Sequence, residues 1–216
     1  MRRGISALIF FFVWTACQPS APTPARASLH GLVLASGPIG DRGHESLLLV
    51  NRFEVTRGEY LGSEATPHRA NFPAVGMTRD EAQAWAEQQG GRLPTWEEWD
   101  YLAWTGDTRF LPGNTLDLGL GRALPVGAFE SSRTMDGVYD FRGNVWEWLA
   151  PEPGEGGVCA GGSFASFQQV ELGLPHQRKL DANDRAEDVG FRWIANAQPF
   201  FRLILSVMIT ESFNLH

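Results

Sequence analysis

The feature that most constrains this chain is the pairing of eight tryptophans with 24 glycines in 216 residues. Tryptophan supplies large apolar anchors, while glycine allows backbone conformations that other residues avoid. The combination predicts irregular, glycine-dependent backbone packed around aromatic side chains rather than long helices. With 43% hydrophobic and 20% charged residues, the composition excludes collagen-like, coiled-coil and fully disordered chains. The length suits one domain.

The charge and the cysteine count exclude further classes of protein. A net charge of −7 without a basic cluster disfavours non-specific binding to nucleic acid, so we expect no nucleic-acid partner. The only cysteines of the sequence are Cys17 and Cys159. Two cysteines are too few for a disulfide framework or for a four-cysteine zinc site.

The N-terminal segment resembles a bacterial lipoprotein signal. Two arginines precede an apolar stretch, residues 5–14, which is too short to span a bilayer as a mature helix. Residues 1–16 are therefore predicted to be a signal peptide, and Cys17 is predicted to carry the lipid. An ordinary secretory signal cut near Ala16 or Ala21 is the alternative.

The residues after the signal indicate where the domain begins. Residues 17–28 are rich in proline and small residues and are typical of a tether. A lipid on Cys17 would hold a domain spanning residues 29–195 at a membrane, so we expect a lipid-anchored protein of the bacterial cell envelope, on the outer membrane or its periplasmic face. Residues 196–216 form a C-terminal tail of unknown role.

Within the domain, local patterns predict a mixture of helices and strands. Two threonines, each with a glutamate three residues later, form capping boxes that start helices after Thr78 and Thr95. The first of these helices is expected to end at Gly90. Apolar or alternating runs predict short strands at 32–34, 47–50, 52–56 and 189–194, with a turn or short helix at 57–61. The domain is therefore of the α+β class.

The order of several motifs resembles that of the sulfatase-modifying-factor family, the formylglycine-generating enzyme domain, over nearly all of residues 46–194. The motifs are RLPTWEEW at 92–99, GNVWEW at 143–148, GGSF at 161–164 and VGFRW at 189–193. The resemblance implies a formylglycine-generating-enzyme-type fold, a variant of the C-type lectin-like fold, with two helices, short strands and little regular structure.

One segment suggests a calcium site. Asp140 and Glu147 place two carboxylates around a tight Gly143-Asn144 turn, and hard oxygen ligands of this kind suit calcium. Spacing alone leaves open that these acids are merely solvated. The resemblance implies a structural calcium ion bound by the side chains of Asp140 and Glu147 and by the carbonyls of Gly143 and Val145.

The resemblance fails at the catalytic motif. In the family, the oxidation of a sulfatase cysteine uses copper held by two cysteines, which are separated by four residues and follow the Gly-Gly-Ser motif. Here residues 164–216 contain no cysteine, and Cys159 lies before Gly161. We therefore expect no copper, assign no catalytic or cofactor-binding residue, and interpret Cys159 as a small buried residue.

Two functions remain open from the sequence. The first is a non-catalytic binding or scaffold module with an envelope protein or peptide as partner. The alternative is an active non-haem metal-dependent oxidoreductase of the same family. The five histidines show no His-x3-His pairing, which disfavours a histidine-based iron site.

Overall fold

The computed structural model describes residues 31–38, 45–104, 113–152, 156–167 and 177–198. The predicted signal peptide and tether, Cys17, and the tail beyond residue 198 lie outside these ranges. Within the described ranges, no helix is long and apolar enough to cross a membrane.

The strands form two small sheets. In chain order they are β1 (Leu32–Pro38), β2 (Glu45–Asn51), β3 (Trp146–Trp148), β4 (Gly157–Ala160), β5 (Gln177–Leu180), β6 (Val189–Gly190) and β7 (Ile194–Asn196). The first sheet has the order β1-β2-β7 and is antiparallel. The second has the order β5-β4-β3-β6, in which β3 and β6 run parallel and the other pairs antiparallel. The apolar runs at 32–34 and 47–50 therefore lie in strands, as predicted.

Each α-helix of the described chain begins at a threonine capping box. The helices are α1 (Arg57–Leu61), α2 (Arg79–Gln88) and α3 (Trp96–Ala103). In all three, the threonine hydroxyl accepts from the backbone N–H three residues on, and the glutamate there accepts from the threonine N–H. The helix starts after Thr78 and Thr95 are confirmed. Short 3₁₀ helices lie at Gly62–Glu64, Pro67–Arg69, Leu116–Leu118 and Glu130–Ser132.

Two aromatic-centred clusters make the core. The first joins β1 and β2 to α3 around Trp99, whose ring meets that of Phe141 edge-on at 5.1 Å. The second joins α2 to the second sheet around Trp148 and Phe191. Trp148 is completely buried and donates its indole N–H to the Met77 carbonyl at 3.1 Å. The expectation of aromatic anchors in irregular backbone is thus confirmed, and the fold is of the α+β class, as predicted.

Two strand predictions were wrong. Residues 52–54 form bends rather than a strand, and Thr56 makes only an isolated bridge to Pro73. The side chains do not alternate as a half-buried strand requires, because Glu54 and Val55 are both fully buried and Glu54 accepts hydrogen bonds from Asn144 and Val145. The run 189–194 is split, because β6 belongs to one sheet and Ile194 to the other. Arg192 lies in the crossing between them.

Candidate functional site

A buried ion pair between Arg192 and Glu147 connects the crossing segment to β3. The two side chains are 0% and 1% exposed. Arg192 Nε and Nη2 donate to Glu147 Oε2 and Oε1 at 3.0 and 2.7 Å. Trp99 Nε1 donates to Glu147 Oε2 at 2.8 Å. Both carboxylate oxygens therefore accept strong hydrogen bonds, and the pair has the bidentate geometry that favours arginine over lysine.

Arg192 also binds two backbone segments. Its Nη1 donates to the Asn51 carbonyl at 2.9 Å, and its Nη2 donates to the Tyr139 carbonyl at 2.7 Å. The guanidinium lies 4.4 Å from the ring centroid of Phe141, a cation–π distance. One side chain thus holds together the end of β2, the loop before Phe141 and β3.

A second buried acid, Glu54, holds the Gly143-Asn144 turn. Its Oε2 accepts from Asn144 Nδ2 at 2.6 Å, and its Oε1 accepts from the Val145 N–H at 3.1 Å. Burial, followed by repulsion from Asp140 and Glu147, raises the pKa of Glu54 well above its usual range. Asn144 adopts a φ of 59°, a left-handed conformation that asparagine tolerates better than most residues.

The third acid of this group is Asp140. It is 4% exposed, and its Oδ2 accepts from the Gly127 N–H at 2.6 Å. Burial raises the pKa of Asp140 to about 6, although the Gly127 N–H and the charge of Arg192 act in the opposite direction. The carboxyl groups of Glu54, Asp140 and Glu147 therefore interact electrostatically with one buried guanidinium, that of Arg192, and only Glu147 is hydrogen-bonded to it.

The four predicted calcium ligands lie in one short buried segment that ends in β3. Gly143 has a φ of 73°, and a Cβ there would lie 2.2 Å from the Asn114 carbonyl oxygen, so only glycine fits. Glu147, however, is already bonded to Arg192 and Trp99. In the described ranges, no three His, Cys, Asp or Glu side chains converge in a metal-binding group. The calcium site, which relies on two backbone carbonyls, stays a prediction.

The Gly-Gly-Ser loop follows β4 and is held by Ser163. The Ser163 hydroxyl donates to Asp188 Oδ2 at 3.0 Å and accepts from the Ala165 N–H at 3.2 Å. Asp188 in turn forms a salt bridge with Arg178 at 3.3 Å. These contacts fix the start of the loop against β5 and the residue before β6.

Cys159 lies inside β4 and is completely buried, as predicted. Burial raises the pKa of its thiol to about 12. The sulfur is therefore mainly protonated at neutral pH, which makes it a weak nucleophile. Cys17, the predicted lipidation site, lies outside the described residues.

A cavity of about 320 Å³ opens beside the Gly-Gly-Ser loop. Its lining includes three arginines, two phenylalanines and one acid, namely Arg57, Arg69, Arg122, Phe72, Phe164 and Glu187. No sequence pattern predicts that these three arginines meet at one cavity, because they come from three segments with no shared spacing.

The residues of the buried network were missed for a different reason. Glu54 and Arg192 interact with positions far along the chain, and local patterns carry no record of such partners. One signal was available for Arg192. It is a charged residue inside the apolar run 189–194, and a charge buried in such a run requires a partner.

Comparisons with known proteins identify a family whose model covers the buried network and the Gly-Gly-Ser loop. The model of the family described as "Sulfatase-modifying factor enzyme 1-like domain" matches residues 39–197. The chain is 31% identical over 106 residues to the inactive C-alpha-formylglycine-generating enzyme 2 of Bos taurus, covering 39% of this chain and 34% of that protein. It is 26% identical over 178 residues to the formylglycine-generating enzyme of Mus musculus, covering 61% and 46%.

A further relative and a solved structure extend the comparison. The hercynine oxygenase of Mycobacterium tuberculosis is 36% identical over 102 residues, covering 39% of this chain and 24% of that protein. The chain thus spans less than half the length of these curated relatives. The crystal structure of CarF superposes with a TM-score of 0.56 at 16% identity, covering 76% of this chain and 96% of that one. This last likeness concerns the fold alone.

Proposed function

The chain belongs to the sulfatase-modifying factor enzyme 1-like domain family, and we propose that it is a lipid-anchored, non-catalytic binding or scaffold module of the bacterial cell envelope. The observation that carries the proposal is the state of its cysteines. Cys159 is buried as a thiol before the Gly-Gly-Ser loop, and the sequence has no cysteine after that loop. A copper site made of two thiolates has no ligands here.

The buried framework supports a role in binding. In the ion pair between Arg192 and Glu147 each partner compensates the buried charge of the other, so the loss of either partner alone would destabilise the fold. A relative whose name describes it as inactive gives a precedent for a family member without the oxidation reaction. A rigid fold that displays loops without catalysing a reaction matches what a scaffold requires.

The decisive experiment is an oxidation assay on the purified protein. A Cys-x-Pro-x-Arg peptide is incubated with the protein and added copper, and formylglycine is measured by mass spectrometry. We expect no product, and the Cys159→Ser variant should behave identically because the buried thiol takes no part. Copper-dependent formylglycine formation that disappears in Cys159→Ser would overturn the proposal.

The lipid anchor is tested separately. The full chain and its Cys17→Ser variant are expressed in a bacterial host, and their distribution between membrane and soluble fractions is compared. We expect acylation of Cys17 by mass spectrometry and a membrane-bound protein that becomes soluble in the variant. A mature protein cut near Ala16 or Ala21 without lipid would instead support the ordinary secretory signal.

The proposal includes a structural calcium ion at the Asp140 turn. Three carboxyl groups around one arginine leave excess negative charge in the interior, and a divalent cation would offset it. Asp140 and Glu147 would supply side-chain oxygens, with Glu147 shared with Arg192, and Gly143 and Val145 would supply carbonyls. Bound calcium would lock the turn that these residues form.

Calcium binding is measured by the thermal midpoint with calcium and with a chelator. We expect calcium to raise the midpoint of the wild-type protein and of Asp80→Asn, whose side chain is 75% exposed. The Asp140→Asn variant should lose the response. Equal midpoints with and without calcium in the wild-type protein would remove calcium from the proposal.

The second candidate function is a non-haem metal-dependent oxidoreductase. It is supported by the likeness to a protein named as a hercynine oxygenase. Of the five histidines, only His68 lies in the described ranges, where it is exposed in the 3₁₀ helix Pro67–Arg69. Elemental analysis of the purified protein separates the candidates. Near-stoichiometric iron would favour the oxidoreductase, and calcium alone would leave it without support.

A further inference from the structure

The cavity beside the Gly-Gly-Ser loop has an unusual charge for this protein. Arg57 comes from α1, Arg69 ends a 3₁₀ helix, and Arg122 lies in the loop after residue 118. Three guanidinium groups thus line one cavity of an otherwise acidic chain with a net charge of −7. Convergence of like charges is unfavourable unless something compensates it.

The three arginines have few polar partners among the described residues. Neither Arg69 nor Arg122 forms a salt bridge or side-chain hydrogen bond with any residue of the described ranges, and Arg57 donates only from Nε to the Pro73 carbonyl at 3.4 Å. Glu187 also lines the cavity but is not paired with any of the three. By contrast, Arg92, Arg133, Arg178, Arg185 and Arg192 all form salt bridges. Three arginines that lack a salt bridge within the described ranges therefore line one cavity, whereas Arg52 and Arg142, which also lack one there, lie outside its lining.

The walls of the cavity define the rest of the ligand. Phe72 and Phe164 are half-buried, and Pro73 is buried beside them. A volume of about 320 Å³ lies at the lower end of the range for small-molecule sites. Arginine guanidinium groups recognise carboxylate and phosphate oxygens through paired N–H donors.

We propose that this cavity binds a small organic anion, with its carboxylate or phosphate group on Arg57, Arg69 and Arg122 and its apolar body between Phe72 and Phe164. The inference rests on the proposed binding role and names the class of ligand for it. Three arginines also repel the positive charge of a Cys-x-Pro-x-Arg peptide, which agrees with a ligand other than a sulfatase segment.

The probes for this site are phenyl phosphate, benzoate, benzamide and inorganic phosphate, each measured by isothermal titration calorimetry on the full chain. We expect phenyl phosphate or benzoate to bind, and the uncharged benzamide not to bind. Inorganic phosphate should bind at least about tenfold more weakly than phenyl phosphate, because it lacks the apolar body. Binding of benzamide as tightly as benzoate, or of inorganic phosphate as tightly as phenyl phosphate, would overturn the proposal.

Variants then assign the binding to these arginines. Arg69→Met and Arg122→Met alter exposed side chains, so both variants should fold, and each should weaken phenyl phosphate binding about tenfold. The matched control is Arg133→Met, because Arg133 is a similarly exposed arginine paired with Glu130 outside the cavity. Unchanged affinity in both cavity variants, or no binding of any anion at about 5 mM, would refute the inference.

These outcomes are independent of the oxidation assay. Failure of anion binding together with absent formylglycine production would remove the ligand class and leave the non-catalytic role intact. Formylglycine production together with anion binding would remove the non-catalytic role and leave the ligand class intact.

Discussion

Replacing Arg192 with methionine tests the physical basis of the buried network. Methionine keeps much of the length of the side chain but removes the charge and all donors. Arg192 makes four hydrogen bonds, two to Glu147 and one each to the carbonyls of Asn51 and Tyr139. The variant leaves Glu147 with Trp99 as its remaining donor and leaves two carbonyls without this partner.

The expected loss follows from burial. Removing one partner of a fully buried ion pair costs about 3–5 kcal/mol, because the other charge stays in the interior uncompensated. Glu54 and Asp140 add to the cost, since Arg192 is the cation that opposes their mutual repulsion. Such a loss is a large share of a typical domain stability of about 5–15 kcal/mol.

The matched control is Arg92→Met. Arg92 also forms a bidentate pair, with Glu98 at 2.6 and 2.5 Å, but its side chain is 41% exposed. Glu98 is 13% exposed, so this pair is only partly solvated, and its loss should cost less than that of the fully buried pair, on the order of 1 kcal/mol. The two variants therefore compare similar chemistry at different burial.

The assay is urea unfolding followed by tryptophan fluorescence, in the presence of chelator. The double variant Arg192→Met/Glu147→Met should recover part of the loss, because it removes the unpaired carboxylate as well. The reasoning is refuted if Arg192→Met and Arg92→Met lose equal free energy. It is also refuted if the double variant is no more stable than Arg192→Met alone.

Three further predictions concern single residues. The pKa of Asp140 is raised from 3.8 to about 6, so the native state binds the proton of this carboxyl more tightly than the unfolded state does. The shift corresponds to roughly 3 kcal/mol in the free energy of unfolding. In chelator, the free energy of unfolding of the wild-type protein, relative to that of Asp140→Asn, should therefore fall as pH rises from about 4 to about 6. Urea unfolding measures both free energies, and a difference that stays constant over this pH range would contradict the prediction. The Cys159 thiol is buried, so at a pH of about 8 iodoacetamide should label it only in denaturant. Labelling is measured by mass spectrometry, and rapid labelling of the native protein would show that the thiol is not buried. Gly143→Ala should destabilise the protein more than Gly119→Ala does, by roughly several kcal/mol, because its new Cβ would clash with the buried Asn114 carbonyl. Both glycines have positive φ, but a Cβ at Gly119 meets nothing within 4 Å, so similar unfolding midpoints would exclude steric contact with Asn114 as the cause.

The elements that the sequence predicted are those whose signals are local. The capping boxes at Thr78 and Thr95 span only three residues, so the helix starts of α2 and α3 were readable. The hairpin strands β1 and β2 carry their own apolar runs. In contrast, β5 is a polar strand, with Gln177, Arg178 and Lys179 in four residues, and it pairs because β4 lies beside it. No apolar pattern marks such a strand.

The same distinction explains the site. Asp140, Gly143, Val145 and Glu147 lie within eight positions of one motif, so their proximity could be predicted from the sequence. Glu54, in contrast, bonds to Asn144 and Val145 across separations of 90 and 91 residues. Arg192 reaches Glu147 across 45 residues. Hydrogen-bond partners this far apart in the chain come into contact only when the two sheets and their loops pack together.

By itself, the sequence determined how many cysteines the chain has and where they lie relative to the Gly-Gly-Ser motif, because their number and positions do not depend on folding. It also determined the family, through long motifs in a fixed order. Only the tertiary structure decided that Glu147 is paired with Arg192. It also decided that Arg57, Arg69 and Arg122 meet at one cavity. Charge compensation and burial depend on distances in space, and residues far apart in the chain acquire those distances only when the sheets and loops pack.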